Sequence, residues 1–296
     1  MISTSGYAAK TARLTRALSS MKGASVIDKD QRTALRLLTL LNPRKTFHRA
    51  SLRDAERIPA SGGVVIVSNH GRLDFDSFIL IRLILLARGR LVRLAADHLW
   101  FRLPLLARIF SLAGAVDGTR ENAMRLLEKG EAVLMYPGGV REIMNGRFGC
   151  EHIDWEGRRG FARVAIDAGV PVIPVVGVGV NSGLIFISNG RILGKMLFQY
   201  VLRLGPQYAK YRNPLAIGLI PVPLPLSLAV FLPLPCRVTY FAGEPIVPPA
   251  RMHGPTARQE EEQFAQKVND SMWKLIEKHG RPGNAPGASR EERRKA

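Results

Sequence analysis

His70 is the residue from which chemistry could start. It follows a short uncharged run, Val64 to Val67, by way of Ser68 and Asn69, and it precedes two carboxylates, Asp74 and Asp76. An imidazole titrates near neutrality, and a carboxylate that accepts its second N–H fixes the tautomer and supports the cation formed when the ring takes a proton. A histidine and an aspartate across one tight turn therefore point to a general base. The same residues have a plainer use, because an aspartate ahead of an apolar helix caps it and a histidine after a strand can serve packing alone.

Two further places carry groups suited to anions. Thr119 can cap a helix running from Arg120 to Lys129 and stopping at Gly130. An arginine in the first turn opposes the helix dipole, a cost that a bound anion would offset, although an ordinary exposed Arg120 fits as well. Pro137-Gly138-Gly139-Val140-Arg141-Glu142 follows another uncharged run, Ala132 to Tyr136. Gly138 and Gly139 let the backbone approach a ligand closely, and Arg141 adds a cation, while Pro-Gly-Gly is also ordinary turn chemistry. Arg158 and Arg159 are weaker candidates of the same kind, equally explained as a solvated basic turn. His98, after Asp97, is either a second functional imidazole or, the better fit, a capping or packing residue.

The elements that must position these groups follow from periodicity. Val64 to Val67 reads as a strand buried on both faces, and Phe78 to Leu86, carrying Arg82, as the helix after it. Leu91 to Ala96 is a strand. Leu99 to Ala113, with Pro104 inside it and Arg102 and Arg108 as its only charges, is a helical stretch for a bilayer interface or for the core. Gly114 to Thr119 reads as a loop. A helix through FARVAIDAGV ends at Gly169, and the strand VPVIPVVGVGV after it is interrupted by Pro171 and Pro174. Strands alternating with helices give an α/β fold, a single open mixed sheet flanked by helices, with sites at the carboxyl ends of the strands.

The flanks read differently. Leu14, Leu18 and Met21 recur at helical spacing among Lys10, Arg13, Arg16 and Lys22, either as a basic amphipathic helix on anionic lipid or as a disordered tail. Gln31 to Leu41 is a second helix, with Ala34, Leu37, Leu38 and Leu41 on one face and Pro43 ending it. Residues 1–25 lack the continuous apolar region of a secretory signal. Pro214 to Cys236 is long enough to span a bilayer, but five prolines from Pro221 to Pro235 favour an extended hairpin dipping into an interface, or burial in the core. A strand at Arg237 to Phe241 follows, then an amphipathic helix over Ala257 to His279 with Phe264, Val268 and Leu275 inward. The resulting organisation is an N-terminal membrane-surface region over 1–50, a catalytic domain over 51–279 and a disordered basic tail over 280–296.

Lys plus Arg is 43 against 24 for Asp plus Glu, a formal charge of +19 over 296 residues. That excess suits nucleic acid, an anionic membrane surface or anionic substrates. No nucleic-acid module is recognisable and the basic residues are scattered through apolar patterns, so the anionic membrane surface is expected and nucleic acid is not. Cys150 and Cys236 make neither a metal spacing nor a disulfide framework, so no metal and a reducing compartment are expected.

An ordered series of blocks resembles a known family. Asn69-His70 with an aspartate soon after, Gly118-Thr119-Arg120-Glu121-Asn122-Ala123, Tyr136-Pro137-Gly138-Gly139-Val140-Arg141-Glu142, Arg158-Arg159-Gly160-Phe161-Ala162 and Val170-Pro171-Val172-Ile173-Pro174 stand in the order of the PlsC-like glycerolipid acyltransferases. Within them they resemble the diacylglycerol acyltransferase-like and TMEM68-like branch. The likeness covers roughly residues 60–247, ending at Gly243-Glu244-Pro245-Ile246.

Most members keep four residues between histidine and aspartate, and Phe75 stands there. Asp76 leaves five between, as in the TMEM68-like branch, so the resemblance carries the catalytic pair to His70 and Asp76, with Asp74 as runner-up. Gly138 stands where the family's usual block has a glutamate, which argues against a phosphorylated glycerol acceptor. The resemblance implies an O-acyltransferase with His70 as base, moving a fatty acyl group from acyl-CoA or acyl carrier protein, as co-substrate and with no other cofactor, to the hydroxyl of a glycerolipid-type lipid acceptor. Arg120, Gly138, Gly139, Arg141 and Arg158 are the substrate-binding candidates. The setting it implies is the cytoplasmic face of the inner (plasma) membrane. A lipid hydrolase or lysophospholipase using the same pair with water, and a non-enzymatic basic membrane-binding domain, are the alternatives. Ser68 and Ser77 have no nucleophile-elbow pattern around them.

Overall fold

The computed structural model describes residues 33, 34, 38, 50–71, 75–102, 104–139, 142, 149–182, 184–186, 231–233, 236–250 and 255–280. Nine strands occur among them: β1 (Ser51–Arg53), β2 (Val64–Ser68), β3 (Val92–Ala96), β4 (Ala115–Asp117), β5 (Ala132–Met135), β6 (Val172–Val178), β7 (Leu184–Phe186), β8 (Phe231–Pro233) and β9 (Thr239–Ala242). The helices are α1 (Phe75–Arg88), α2 (Pro104–Leu112), α3 (Arg120–Glu128), α4 (Gly160–Ala168) and α5 (Pro255–His279), with short 3-10 turns at Ala55–Arg57 and His98–Arg102.

Seven strands form one open mixed sheet in the order β1-β9-β6-β2-β5-β3-β4. Its pairings are parallel except β6 with β9, so β1 and β9 run against the other five. β2 lies in the middle, paired with β5 and β6, which is why its five residues are all buried. The period-two alternation of β2 divides the core. Val64 and Ile66 pack with Phe78, Ile79, Ile84 and Leu85 of α1 on one face. Val65 and Val67 pack on the other with Leu127 of α3, Phe161 and Ala165 of α4, and Val268 and Met272 of α5. α1 is apolar on nearly every side because it lies between the sheet and further structure. That further structure includes Ala34 and Leu38, helical and buried as expected for the second helix.

Several expectations need correction. Gly114 to Thr119 is not wholly a loop, because Ala115–Asp117 pairs with β3 as the edge strand β4. Three residues between glycines gave no visible period. Pro104 does not sit inside a helix but opens α2, where its missing N–H is one of the groups a helix leaves unpaired in any case. Trp100 of the preceding 3-10 turn stacks on Phe110 at 4.9 Å, and Phe110 meets Phe78 of α1 edge-on, so this aromatic part of the greasy stretch is turned towards α1. β6 runs unbroken through Pro174. The Pro174 carbonyl accepts from Gly243 N–H at 2.7 Å. Amide and carbonyl of one strand residue point the same way, so the missing donor faces the place where β9 is already turning off and not the β2 ladder.

Of the long proline-rich stretch, Phe231–Pro233 is described and pairs antiparallel with Leu184–Phe186. The rest of that stretch up to residue 235, the basic segment over 10–22, Asp74, Arg141 and the tail beyond Gly280 lie outside the described residues. Among the described residues no helix is long and apolar enough to cross a membrane.

Candidate active site

The carboxyl ends of β2, β5 and β6 lie side by side, and the polar groups gather there. Asn69 carries the β2–β6 ladder one step further with its side chain. Its Nδ2 donates to the Gly177 carbonyl at 3.1 Å, and Gly177 N–H donates to its Oδ1 at 2.8 Å. That amide clamp fixes the chain immediately before His70. A Cβ at Gly177 would stand 2.6 Å from Val180 and 2.8 Å from the Tyr240 ring, so this strand position tolerates only glycine.

His70 and Asp76 are buried together. His70 Nδ1 lies 3.4 Å from Asp76 Oδ1, within ion-pair range. The aspartate is held by three groups: Gly71 N–H donates to Oδ2 at 2.7 Å, Ser77 N–H donates to Oδ1 at 2.9 Å, and the Tyr240 hydroxyl donates to its backbone carbonyl at 2.9 Å. Asp76 thus acts in the first turn of α1, where a carboxylate also meets the positive end of the helix. Its spacing is the five-residue one. The imidazole is set from the other side by Tyr136, which stacks on it at 4.1 Å and 23°. With Nδ1 turned towards Asp76, Nε2 lies on the opposite side of the ring. An imidazole so fixed in tautomer and plane can take a proton through Nε2 from a hydroxyl presented beside it.

The turn after β5 supplies a feature that the sequence reading missed. Glu142 is fully buried. Its Oε2 accepts from His70 N–H and its Oε1 from Asp154 N–H, both at 3.3 Å. Burial pushes its carboxyl up to about 8, against the opposing pull of the His70 charge and the two N–H donors. Glu142 was read only as the last residue of a block valued for its glycines and arginine. The signal that could have found it is an acid four residues beyond Gly138, in a turn that already carried a cation.

The glycines and arginines of the expected binding set are now placeable. Gly139 has a positive φ of 54°, and its N–H donates to the Tyr136 carbonyl at 3.0 Å. That amide is therefore committed to the turn. Arg158 Nη1 donates to the Gly138 carbonyl at 2.7 Å, which brings Arg158 to the same turn. Arg120 stands at the start of α3 behind the expected Thr119 cap, whose hydroxyl accepts from Asn122 N–H. It reaches Asp167 of α4 at 2.5 Å, a local reason for an arginine in a first turn. Arg159 and Arg163 pair with Glu261, and Arg159 also with Glu262, tying α4 to α5. His98 is exposed at the start of its 3-10 turn. Ser68 and Ser77 are both fully buried. Among the described residues no group of three or more His, Cys, Asp or Glu is placed to hold a metal ion.

Comparison with known proteins bears on this geometry. Residues 49–178 match the Acyltransferase family model, a span that contains His70, Asp76, Glu142 and Arg158. The "DGAT1/2-independent enzyme synthesizing storage lipids" of Bos taurus is 31% identical over 243 residues, covering 82% of this chain and 64% of that protein. Its Homo sapiens counterpart is 31% identical over 243 residues, covering 82% and 65%. The chain thus spans just under two thirds of the length of these curated relatives. Among solved structures, the 1-acyl-sn-glycerophosphate acyltransferase PlsC from Thermotoga maritima aligns with a TM-score of 0.45 and 16% identity over 88% of each chain. The constellation around His70 thus lies within the span, residues 49–178, over which the chain is similar to the acyltransferase family.

Proposed function

We propose that this chain is an O-acyltransferase that moves a fatty acyl group from a thioester donor, acyl-CoA or acyl carrier protein, to the hydroxyl of a glycerolipid-type acceptor. The observation that carries the reading is the buried His70–Asp76 pair, held at the end of β2 beside the Gly138–Gly139 turn. Nε2 of His70 takes the proton of the acceptor hydroxyl as its oxygen attacks the thioester carbonyl. The C–S bond then breaks, and the departing thiolate takes the proton back from the imidazolium, leaving ester and free thiol. Asp76 supports the transient cation. No covalent enzyme intermediate is needed. Backbone N–H groups at the glycine turn other than that of Gly139 would meet the developing oxyanion, a contact worth roughly 3 kcal/mol.

Arg141 and Arg158 are the cations proposed for the donor's phosphates, and Arg120 would join them only by leaving Asp167. A neutral acceptor such as a mono- or diacylglycerol is favoured, because Gly138 stands where the usual family block has a glutamate and because the relatives are named for storage-lipid synthesis. The formal charge of +19 supports a working position on an anionic membrane, and the cytoplasmic face of the inner membrane is the proposed one.

Purified protein with palmitoyl-CoA and a panel of monoacylglycerol, diacylglycerol, lysophospholipid and simple alcohols tests this reading. Thiol release that depends on acceptor and is lost in His70→Ala, with liposome binding retained, is the expected result. Release without acceptor would replace transfer by hydrolysis. No release with any acceptor would leave only a membrane-binding domain.

A further inference from the structure

Glu142 has no part in the proton transfer described above, yet it is among the most deeply buried acids of the site. Its two oxygens tie together backbone groups from two separate segments, His70 N–H and Asp154 N–H. The space it fills is cleared by Gly138. A Cβ at Gly138 would stand 2.5 Å from Glu142 Cβ and 2.7 Å from the Asp154 carbonyl, and closer still to Glu142 Oε2. The missing side chain at Gly138 therefore leaves room for the Glu142 carboxylate to reach the backbone of His70.

We propose that Glu142 is a positioning residue whose carboxylate, bridging the His70 and Asp154 amides, sets where the imidazole stands when the acceptor hydroxyl arrives. The proposal rests on His70 being the base. An ionised carboxylate accepts from both amides, and such charge-assisted bonds are roughly twice as strong as neutral ones. A protonated carboxyl must turn one O–H away from a facing N–H, so the bridge loosens. The bridge accordingly tightens as Glu142 loses its proton, which burial places near pH 8. The groups that bear on this titration are His70 and Asp76 from the β2–α1 turn, Asp154 with His152 from the segment before α4, and Arg158 at the Gly138 carbonyl. The His70 charge favours the ionised form and Asp76 opposes it.

The decisive measurement is NMR titration of the His70 Cε1 resonance in the full chain, assigned by its disappearance in His70→Gln. The wild-type resonance is expected to move in two steps, the second near pH 8, and in Glu142→Gln to move in one. Steady-state kinetics with palmitoyl-CoA and the acceptor turned over best in the panel should agree. The ratio of wild-type to Glu142→Gln kcat is expected to rise about tenfold between about pH 6.5 and 8.5, with KM unchanged within about twofold. Identical titrations of the resonance in wild type and variant, or a kcat loss by one constant factor at every pH, would reduce Glu142 to a structural acid and overturn the proposal. The wild-type titration must show its second step by itself, so a variant that fails to fold does not rescue the idea. Should His70→Gln retain acyl transfer, the base assignment fails separately, whatever the resonance does.

Discussion

The burial of Glu142 has a consequence for stability that can be measured without any substrate. Its carboxyl titrates at about 8 in the folded protein and near 4.5 when unfolded, because taking the charge out of water outweighs the two N–H donors and the His70 charge that favour it. Between those values the folded chain holds a proton on this group that the unfolded chain has released. Stability conferred by the neutral group is complete below the unfolded value and is lost as pH rises through the folded one, with a slope of about 1.4 kcal/mol per pH unit in between. Glu142→Gln keeps the shape and cannot ionise, so its stability lacks that slope. Urea unfolding of both proteins at about pH 5.5, 6.5 and 7.5 isolates the effect, because groups distant from the substitution contribute equally to each and cancel in the difference. Wild-type stability relative to Glu142→Gln is expected to fall by roughly 2–3 kcal/mol across that interval. Parallel pH profiles for the two would refute the assignment of a buried, raised carboxyl.

Three other perturbations test separate parts of the site. Asp76→Asn removes an acceptor from Gly71 or Ser77 N–H and the charge facing Nδ1, and should lower kcat about 10²- to 10⁴-fold, whereas Asp74→Asn should cost under about threefold. The reverse ranking in the same thiol-release assay would hand the partner role to Asp74. Gly138→Glu, which restores the glutamate of the commoner block, should be destabilised by about 1–3 kcal/mol in urea unfolding, because Glu142 already fills that space. Adding Glu142→Gly should relieve much of that loss, and simple additivity of the two changes would mean the side chains do not compete. Tyr240→Phe removes the hydroxyl that donates to the Asp76 carbonyl and should lower stability by about 1 kcal/mol, read as a fall in urea midpoint at unchanged slope.

The scaffold was legible wherever one face or both faces of an element are buried over enough residues to show a period. β2, β5 and the α1, α3, α4 and α5 helices are of that kind, and their alternation gave the sheet class. Short edge strands carry too little pattern, which is why β4 does not show in the sequence. Pro174 was expected to interrupt β6, but a proline breaks a strand only where its missing N–H is needed, and there it is not. In the site, His70 and Asp76 were visible because they sit on one turn. Partners that arrive from across the sheet were not. The Tyr240 hydroxyl reaches Asp76 from 164 residues away, Gly177 meets Asn69 from 108, and Asp167 meets Arg120 from 47. Nothing local marks such pairs, since each is decided by which strands become neighbours.

Glu142 stood within sight of the block that was read and was still passed over, because an acid beside an arginine in a turn ordinarily means a solvated pair. What changes its meaning is Gly138. A side chain there would exclude the carboxylate, so the glycine that looked like the loss of a functional group is the opening that admits another from four residues on. The two demands on that acid then oppose each other. Folding favours the proton staying on Glu142, while holding the His70 amide favours its leaving. An enzyme built this way should grow less stable and more active over the same stretch of pH, as expected when a site keeps a strained or costly group for its chemistry. The stability slope and the His70 titration are therefore two views of one ionisation, and they must share a midpoint.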